Sequence, residues 1–383
     1  MKSLLFALSL SLSSASLLIA QPVQTIGGEK IVTITRTAVS KTVPEFTSVT
    51  VLPGRGMELL YISANVPGKG EIPVLLTPDL ATAARQLDEQ DTPTGNNGYM
   101  IGAALIAPYA NRIGGIVSAD GQTVTVNWHE KTMTLPANSP VRPGQSAHAM
   151  HGLMLKSKAT GIKVTQDKGG AKVSGIIHAG DFGGHWLSST DLEVTIELTA
   201  DAVDTTVVAK NVGKEDEPMA IGWHPWLNMP SGARDQVRVQ IPGSSMDEMG
   251  ADRMPTGKII PVAGTRFDFQ PAGGRTLDSD SYDMNLTNLQ WANGVLSVCV
   301  TDPAAHYGVR LEGFSPEMKS IQMASPVGKS VVAIEHQYNY LDPFGKEWGT
   351  TDTGMVTLKP GQSTRWQVRL HVFVPEQVAQ KSK

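Results

Sequence analysis

Along most of the chain, apolar residues fall on every second position or in short β-branched runs. The clearest stretches are residues 31–36, 48–52, 57–62, 123–128, 192–198, 205–209, 236–241, 296–300, 330–334 and 366–374. A two-residue period puts alternate side chains on opposite faces of an extended strand, so one face is buried while the other meets water. Turn signals separate the runs, among them Pro67-Gly68-Lys69-Gly70, Ala119-Asp120-Gly121 and Lys359-Pro360-Gly361. Helical spacing is confined to residues 79–89, where Leu80, Ala83, Ala84 and Leu87 share a face and predict a short connector helix. Residues 90–98 read as a loop. Many short strands with Gly, Pro and Asp turns predict an all-β sandwich or barrel. With no composition break and no sign of a solenoid repeat, the simplest organisation is one antiparallel β domain from about residue 28 to 377, then a frayed tail at 377–383.

Composition supports a large core. Of 383 residues, 40% are hydrophobic and 18% charged, too apolar and too weakly charged for a disordered chain. The formal net charge of −4 argues against a nucleic-acid partner, which calls for a concentrated basic face. At the N-terminus, Lys2 precedes a serine-diluted apolar run from Leu4 to Ile19, ending at Ala20-Gln21. This is the pattern of a signal peptide over residues 1–20, cleaved near Ala20. The run is short for a ~30 Å hydrocarbon core, so the expectation is an exported protein, periplasmic or secreted, without a stable membrane anchor. Cys299 is the only cysteine; it excludes an intrachain disulfide and a cysteine-based metal site, and in its β-branched run it reads as a small core residue.

Five polar islands interrupt this apolar fabric. The first is Ala107-Pro108-Tyr109-Ala110-Asn111-Arg112-Ile113-Gly114-Gly115. Its arginine carries five donors in a rigid fork suited to hydroxyls or carboxylates, and its glycines permit close backbone approach. The others are His148-Ala149-Met150-His151-Gly152-Leu153, Ile221-Gly222-Trp223-His224-Pro225-Trp226-Leu227-Asn228, Tyr282-Asp283-Met284-Asn285-Leu286 and Ala333-Ile334-Glu335-His336-Gln337. Each has a plain alternative: Arg112 at the surface beside a turn, His224 satisfied by backbone at a core edge, Asp283 in a turn, Glu335 solvated at a strand end. His148 and His151 have the i, i+3 spacing of a metal pair, but no third ligand stands nearby in sequence.

In this order and spacing, the islands resemble the aldose 1-epimerase (galactose mutarotase) family. Tyr99-Met100-Ile101-Gly102 leads into Tyr109-Ala110-Asn111-Arg112-Ile113, followed by Leu135-Pro136-Ala137-Asn138, His151-Gly152, and His224-Pro225-Trp226-Leu227-Asn228. Tyr282-Asp283 is similar to the family's aspartate island, and Glu335-x-Gln337 with Asp342 to its glutamate island. The resemblance runs from about residue 30 to 375. It departs at Leu153, where a second glycine is common, and at Pro108, where an arginine is common; residues 139–147 look like an insertion.

The resemblance implies a galactose mutarotase-like β-supersandwich and interconversion of the α and β anomers of a free aldohexose, with no cofactor and no metal. It places the general base on Glu335 and the general acid on His224, with Arg112, His151, Asp283 and Asn111 holding sugar hydroxyls. The expected partner is a small-molecule sugar, and the expected assembly a monomer or homodimer. A hemiacetal opens when its C1 hydroxyl loses a proton as the ring oxygen gains one, which suits a carboxylate and an imidazolium. That role calls for a histidine pKa kept near neutral. Trp223 or Trp226 could supply an apolar platform or core packing. Two other readings compete: a hexose-phosphate epimerase, which would want an extra cationic cluster, and a carbohydrate-binding β-sandwich without catalysis.

Overall fold

The computed structural model describes residues 24–139 and 146–375. The signal segment, the 377–383 tail and residues 140–145 of the insertion lie outside them. The architecture is all-β and antiparallel, built on two large sheets. Nine strands form one sheet, in the order Thr160–Gln166, Ala171–Gly180, Thr190–Leu198, Val203–Asn211, Ser363–Phe373, Tyr307–Gly313, Leu296–Asp302, Arg238–Gln240 and Arg275–Thr276. The other runs Pro255–Pro261, Gly243–Met249, Tyr282–Leu289, Ser320–Ser325, Val331–Gln337, Gly222–Asn228, Ala103–Ile106, Glu58–Val66, Glu45–Leu52 and Val32–Thr35, with Gly70–Pro73 added beside Glu58–Val66.

The alternating runs form these strands because one face of each is driven out of water. In Thr190–Leu198, Leu192, Val194, Ile196 and Leu198 are fully buried while Asp191, Glu193, Thr195 and Glu197 are not. A continuous core joins both sheets, drawing Val49, Leu59, Ile62, Trp223 and Ile334 from one and Val207, Leu311 and Trp366 from the other. Trp223 and Trp366 meet edge-on across it, ring centroids 6.2 Å apart. Burial of each such aliphatic or aromatic side chain is worth ~1.5–3 kcal/mol.

The helix forms as Leu80–Ala84, capped by Asp79, which accepts from the Thr82 N–H at 3.0 Å; its last turn widens over Arg85–Glu89. Ala83 and Leu87 close a satellite cluster with Ile26, Leu52, Leu60 and Ile101. The loop after it is not wholly irregular, since Asn96–Met100 winds into a 3₁₀ turn. Two readings are corrected. Cys299 is half-buried on the outer face, between Gln240 and Arg310 on neighbouring strands, because Val298 and Val300 take the inward positions. The strand expected at 330–334 continues through Gln337, so Glu335 is part of the sheet and not beyond its end. Among the described residues, no helix is long and apolar enough to cross a membrane.

Candidate active site

On the strand Gly222–Asn228, Trp223 and Leu227 point into the core, which turns His224 and Trp226 to the opposite face. The same alternation turns Ile334 and Val332 inward and Glu335 and Ala333 outward. Register then assembles a polar row across four strands. Asn285 pairs with Gln322, and Gln322 with Glu335. His224 lies opposite Glu335, between the pairs Gly222–Gln337 and Trp226–Ala333. One step along, Asp283, Ala324, Ala333 and Trp226 form a second row. Ala324, a small residue in this row, lines the space above the sheet, while Ala333 is buried against Trp226 and Val331. The resulting cleft encloses about 480 Å³ and is also lined by Tyr99, Arg112, His148, His151 and Arg253.

The His224 Nε2 and Glu335 Oε1 atoms are 3.2 Å apart, with side chains 6% and 1% exposed. Gln337 Nε2 donates to the other carboxylate oxygen at 2.7 Å. Burial drives charge off both groups: it raises the Glu335 carboxyl well above its ordinary range and lowers His224 to about 4. A near-neutral histidine was expected from sequence. Full enclosure between Tyr99, His151 and Trp226, at ring centroids of 5.6, 5.0 and 5.3 Å, overrides that expectation. His151 is likewise held as a neutral imidazole, by burial first and then by His224, Arg112 and His148 nearby.

Arg112 reaches the cleft from the short strand Arg112–Ile113, paired with Ala149–Met150. Its guanidinium donates to Asn111 Oδ1 and Asp283 Oδ2, each at 3.4 Å. Asn111 and His151 both adopt left-handed backbone, φ +59° and +56°, a conformation uncommon outside glycine, enriched in asparagine and histidine, and kept where the surroundings hold it. The hold is visible: the His151 N–H donates to Asn111 O at 2.9 Å, and the Leu153 N–H to Ala107 O at 2.8 Å. Gly152 between them has φ +74°, and a Cβ there would lie 2.3 Å from Ala107 O. Asn111 Nδ2 donates to Gln322 Oε1 at 2.9 Å, and Gln322 Nε2 to Asp283 Oδ1 at 2.6 Å. Asp342 stands behind this strand, its N–H bonded to Arg112 O and its Oδ1 accepting from Gly114 N–H.

All six sequence-identified residues, Glu335, His224, Arg112, His151, Asp283 and Asn111, therefore come together in one cleft. The plain alternatives fail for three of them: Glu335 is not solvated, Asp283 is on a strand, and Arg112 is 8% exposed. The tryptophans divide, Trp223 in the core and Trp226 beside the cleft. Neither Pro108 nor Leu153 lines the cleft; Leu153 packs onto the core. Sequence reading missed Gln322 and Arg253, and took His148 only as half of a metal pair. Gln322 and Arg253 gave no local signal, because tertiary pairing alone brings their strands and loops to the site. Arg253, on the turn after Gly243–Met249, forms an ion pair with Asp283, a second cation beside Arg112 that the linear sequence did not disclose. Among the described residues, the ligand atoms compact enough to share a divalent cation are those of His151, His224 and Glu335, within 4.8 Å of one another, so His151 has close partners other than His148.

The sequence profile of the aldose 1-epimerase family matches residues 77–371, while no curated protein matches the chain. Among solved structures, a galactose mutarotase-like protein from Clostridium acetobutylicum is 20% identical, with a TM-score of 0.69 over 86% of this chain and 93% of its own. The GalM/aldose epimerase homologue from C. elegans is 16% identical (TM-score 0.65; 90% and 99% covered). Galactose 1-epimerase from Lactobacillus acidophilus NCFM is 14% identical (TM-score 0.63; 91% and 99% covered). These likenesses establish a galactose mutarotase-like fold. With the profile spanning most of its length, the chain belongs to the aldose 1-epimerase family.

Proposed function

We propose that the protein interconverts the α and β anomers of a free aldohexose, with Glu335 as general base and His224 as general acid and no cofactor. The observation that carries this reading is the buried Nε2–Oε1 pair at 3.2 Å on the floor of an open cleft lined by polar side chains. In its ionised form, the carboxylate takes the C1 hydroxyl proton while the imidazolium delivers one to the ring oxygen, breaking the C1–O5 bond. The proton has then moved from His224 to Glu335, and the pair is neutral. Rotation about C1–C2 and reversal of both transfers closes the other anomer and restores the ionised pair. Burial, which disfavours charge on both groups, thus favours the pair's state in the open-chain stage. Arg112, Asn111, His151 and Asp283 would hold the remaining hydroxyls, with Trp226 beside the ring.

Polarimetry of freshly dissolved α-aldoses tests the proposal. Optical relaxation should accelerate with protein and be unaffected by a chelator. Glu335→Gln should lower kcat by at least ~10²-fold with the fold intact, and His224→Asn should be similarly severe. Unchanged turnover in the Gln variant would remove Glu335 as the base, and sugar binding without acceleration would favour a binding protein. The Arg112–Asp283–Arg253 group gives one specific reason to include hexose phosphates in the panel, although Asp283 offsets one of the two cations. Export is part of the same proposal, and N-terminal sequencing of the mature protein checks cleavage near Ala20.

A further inference from the structure

We propose that His148 is a specificity-determining residue whose Nε2 accepts a hydrogen bond from one sugar hydroxyl, on the Arg112–Arg253 side of the cleft. His148 is 3% exposed yet lines the cleft. Its Nδ1 lies 3.1 Å from Ser146 O. A carbonyl only accepts, so Nδ1 carries the hydrogen and Nε2 the lone pair. That Nε2 is buried with no hydrogen-bond partner among the described residues, and a buried polar atom left unmatched is costly. The charged groups facing the ring are Arg112 and Arg253, with Asp252 acting oppositely; with burial as the largest cause, they lower the imidazole's pKa and favour its neutral, accepting form.

The chemistry around it selects the ligand group. The Arg112 and Arg253 side chains are donors only and share the Asp283 carboxylate, so this wall sets fixed donors beside the Nε2 acceptor. A sugar hydroxyl does both, accepting from a guanidinium and donating to Nε2. A hydrogen or fluorine at that carbon cannot donate, and would leave the lone pair buried and unmatched. His148 therefore selects which sugar is turned over, while Glu335 and His224 carry the proton transfers proposed above.

The inference rests on the cleft being a sugar site, and the test separates the two claims. Wild-type, His148→Leu and His148→Gln proteins, matched by melting temperature, are assayed for anomer exchange. The substrates are the best aldose and its 2-, 3-, 4- and 6-deoxy forms. Leucine removes the acceptor, whereas glutamine returns an oxygen near the position of Nε2. The expected result is a fall in kcat/KM of at least about 10-fold for the leucine variant on the parent sugar, with most of it restored by glutamine. For one deoxy sugar, wild-type and leucine proteins should be equally poor. Effects that multiply for every deoxy sugar, or an unchanged parent value in the leucine variant, overturn the proposal.

The same cycle on dissociation constants, with the ¹⁵N resonance of His148 Nε2 followed on sugar addition, does not depend on catalysis. Coupling in binding without anomer exchange keeps this inference and removes the catalytic reading. Exchange with no movement of the Nε2 resonance does the reverse, and that resonance also decides the matter if the leucine variant fails to fold.

Discussion

Glu335 and His224 act as one titrating unit, because their facing atoms are 3.2 Å apart and both are buried. The reactive unit holds one proton. A second arrives only as pH falls through the lowered His224 value of about 4, and the single proton leaves only above the raised Glu335 value. The rate profile, corrected for the uncatalysed reaction, should therefore fall on the acid side only near pH 4 and on the alkaline side only above the raised Glu335 value, with no acid limb near the 6.5 of an ordinary histidine. A limb centred there would show that His224 titrates independently. Gln337 tunes the alkaline side, since its donated hydrogen bond lowers the Glu335 pKa. Gln337→Ala should move the alkaline limb to higher pH and leave the acid limb in place; a shift to lower pH would contradict this account.

At the scale of elements, the cleft is a product of register. The second row sets the small Ala324 and Ala333 between Asp283 and Trp226, and Ala324 leaves the cleft its room for the proposed sugar. Ala324 is half-buried and lines the cleft, so Ala324→Leu should project bulk into the site without disturbing the core. The expected result is a KM rise of about 10-fold or more with little change in kcat, since lost room weakens ground and transition states alike; an unchanged KM would place the ring elsewhere. The same rows explain what could be read in advance. The sandwich was legible because strands such as Thr190–Leu198 alternate strictly. Glu335, His224 and Arg112 were legible because charged or titratable side chains interrupt apolar runs. Gly222–Asn228 carries no alternation, being buried along nearly its whole length, and reads as a motif before it reads as a strand. Gln322 and Arg253 become visible only when antiparallel pairing and a hairpin turn bring them to Asp283. No local pattern encodes those meetings.

Across the whole molecule, the fold encloses carboxyls that it holds in the protonated form. Asp247 is 1% exposed; among the described residues its Oδ1 has no partner, and its Oδ2 accepts a 3.4 Å bond from the Leu341 N–H. Burial raises its pKa from 3.8 to about 8. Asp342, beside Glu347, and Glu217 are each raised to about 7, again chiefly by burial. For such groups the folded state binds more protons than the unfolded chain between the two pKa values. Their contribution to stability is present in full below the unfolded value and is lost as pH rises through the folded one. These carboxyls should therefore contribute more stability at pH 5 than at pH 8, opposed by the buried imidazoles of His224, His151 and His336, whose lowered pKa favours the higher pH. Asp247 alone would account for as much as ~4 kcal/mol of that difference, at ~1.4 kcal/mol per pH unit. Asp247→Asn keeps the shape and removes the titration, so the variant's stability at pH 5 relative to pH 8, read from urea midpoints, should fall below that of the wild type. A variant with the same pH 5 to pH 8 difference as the wild type would show that Asp247 ionises without cost where it stands.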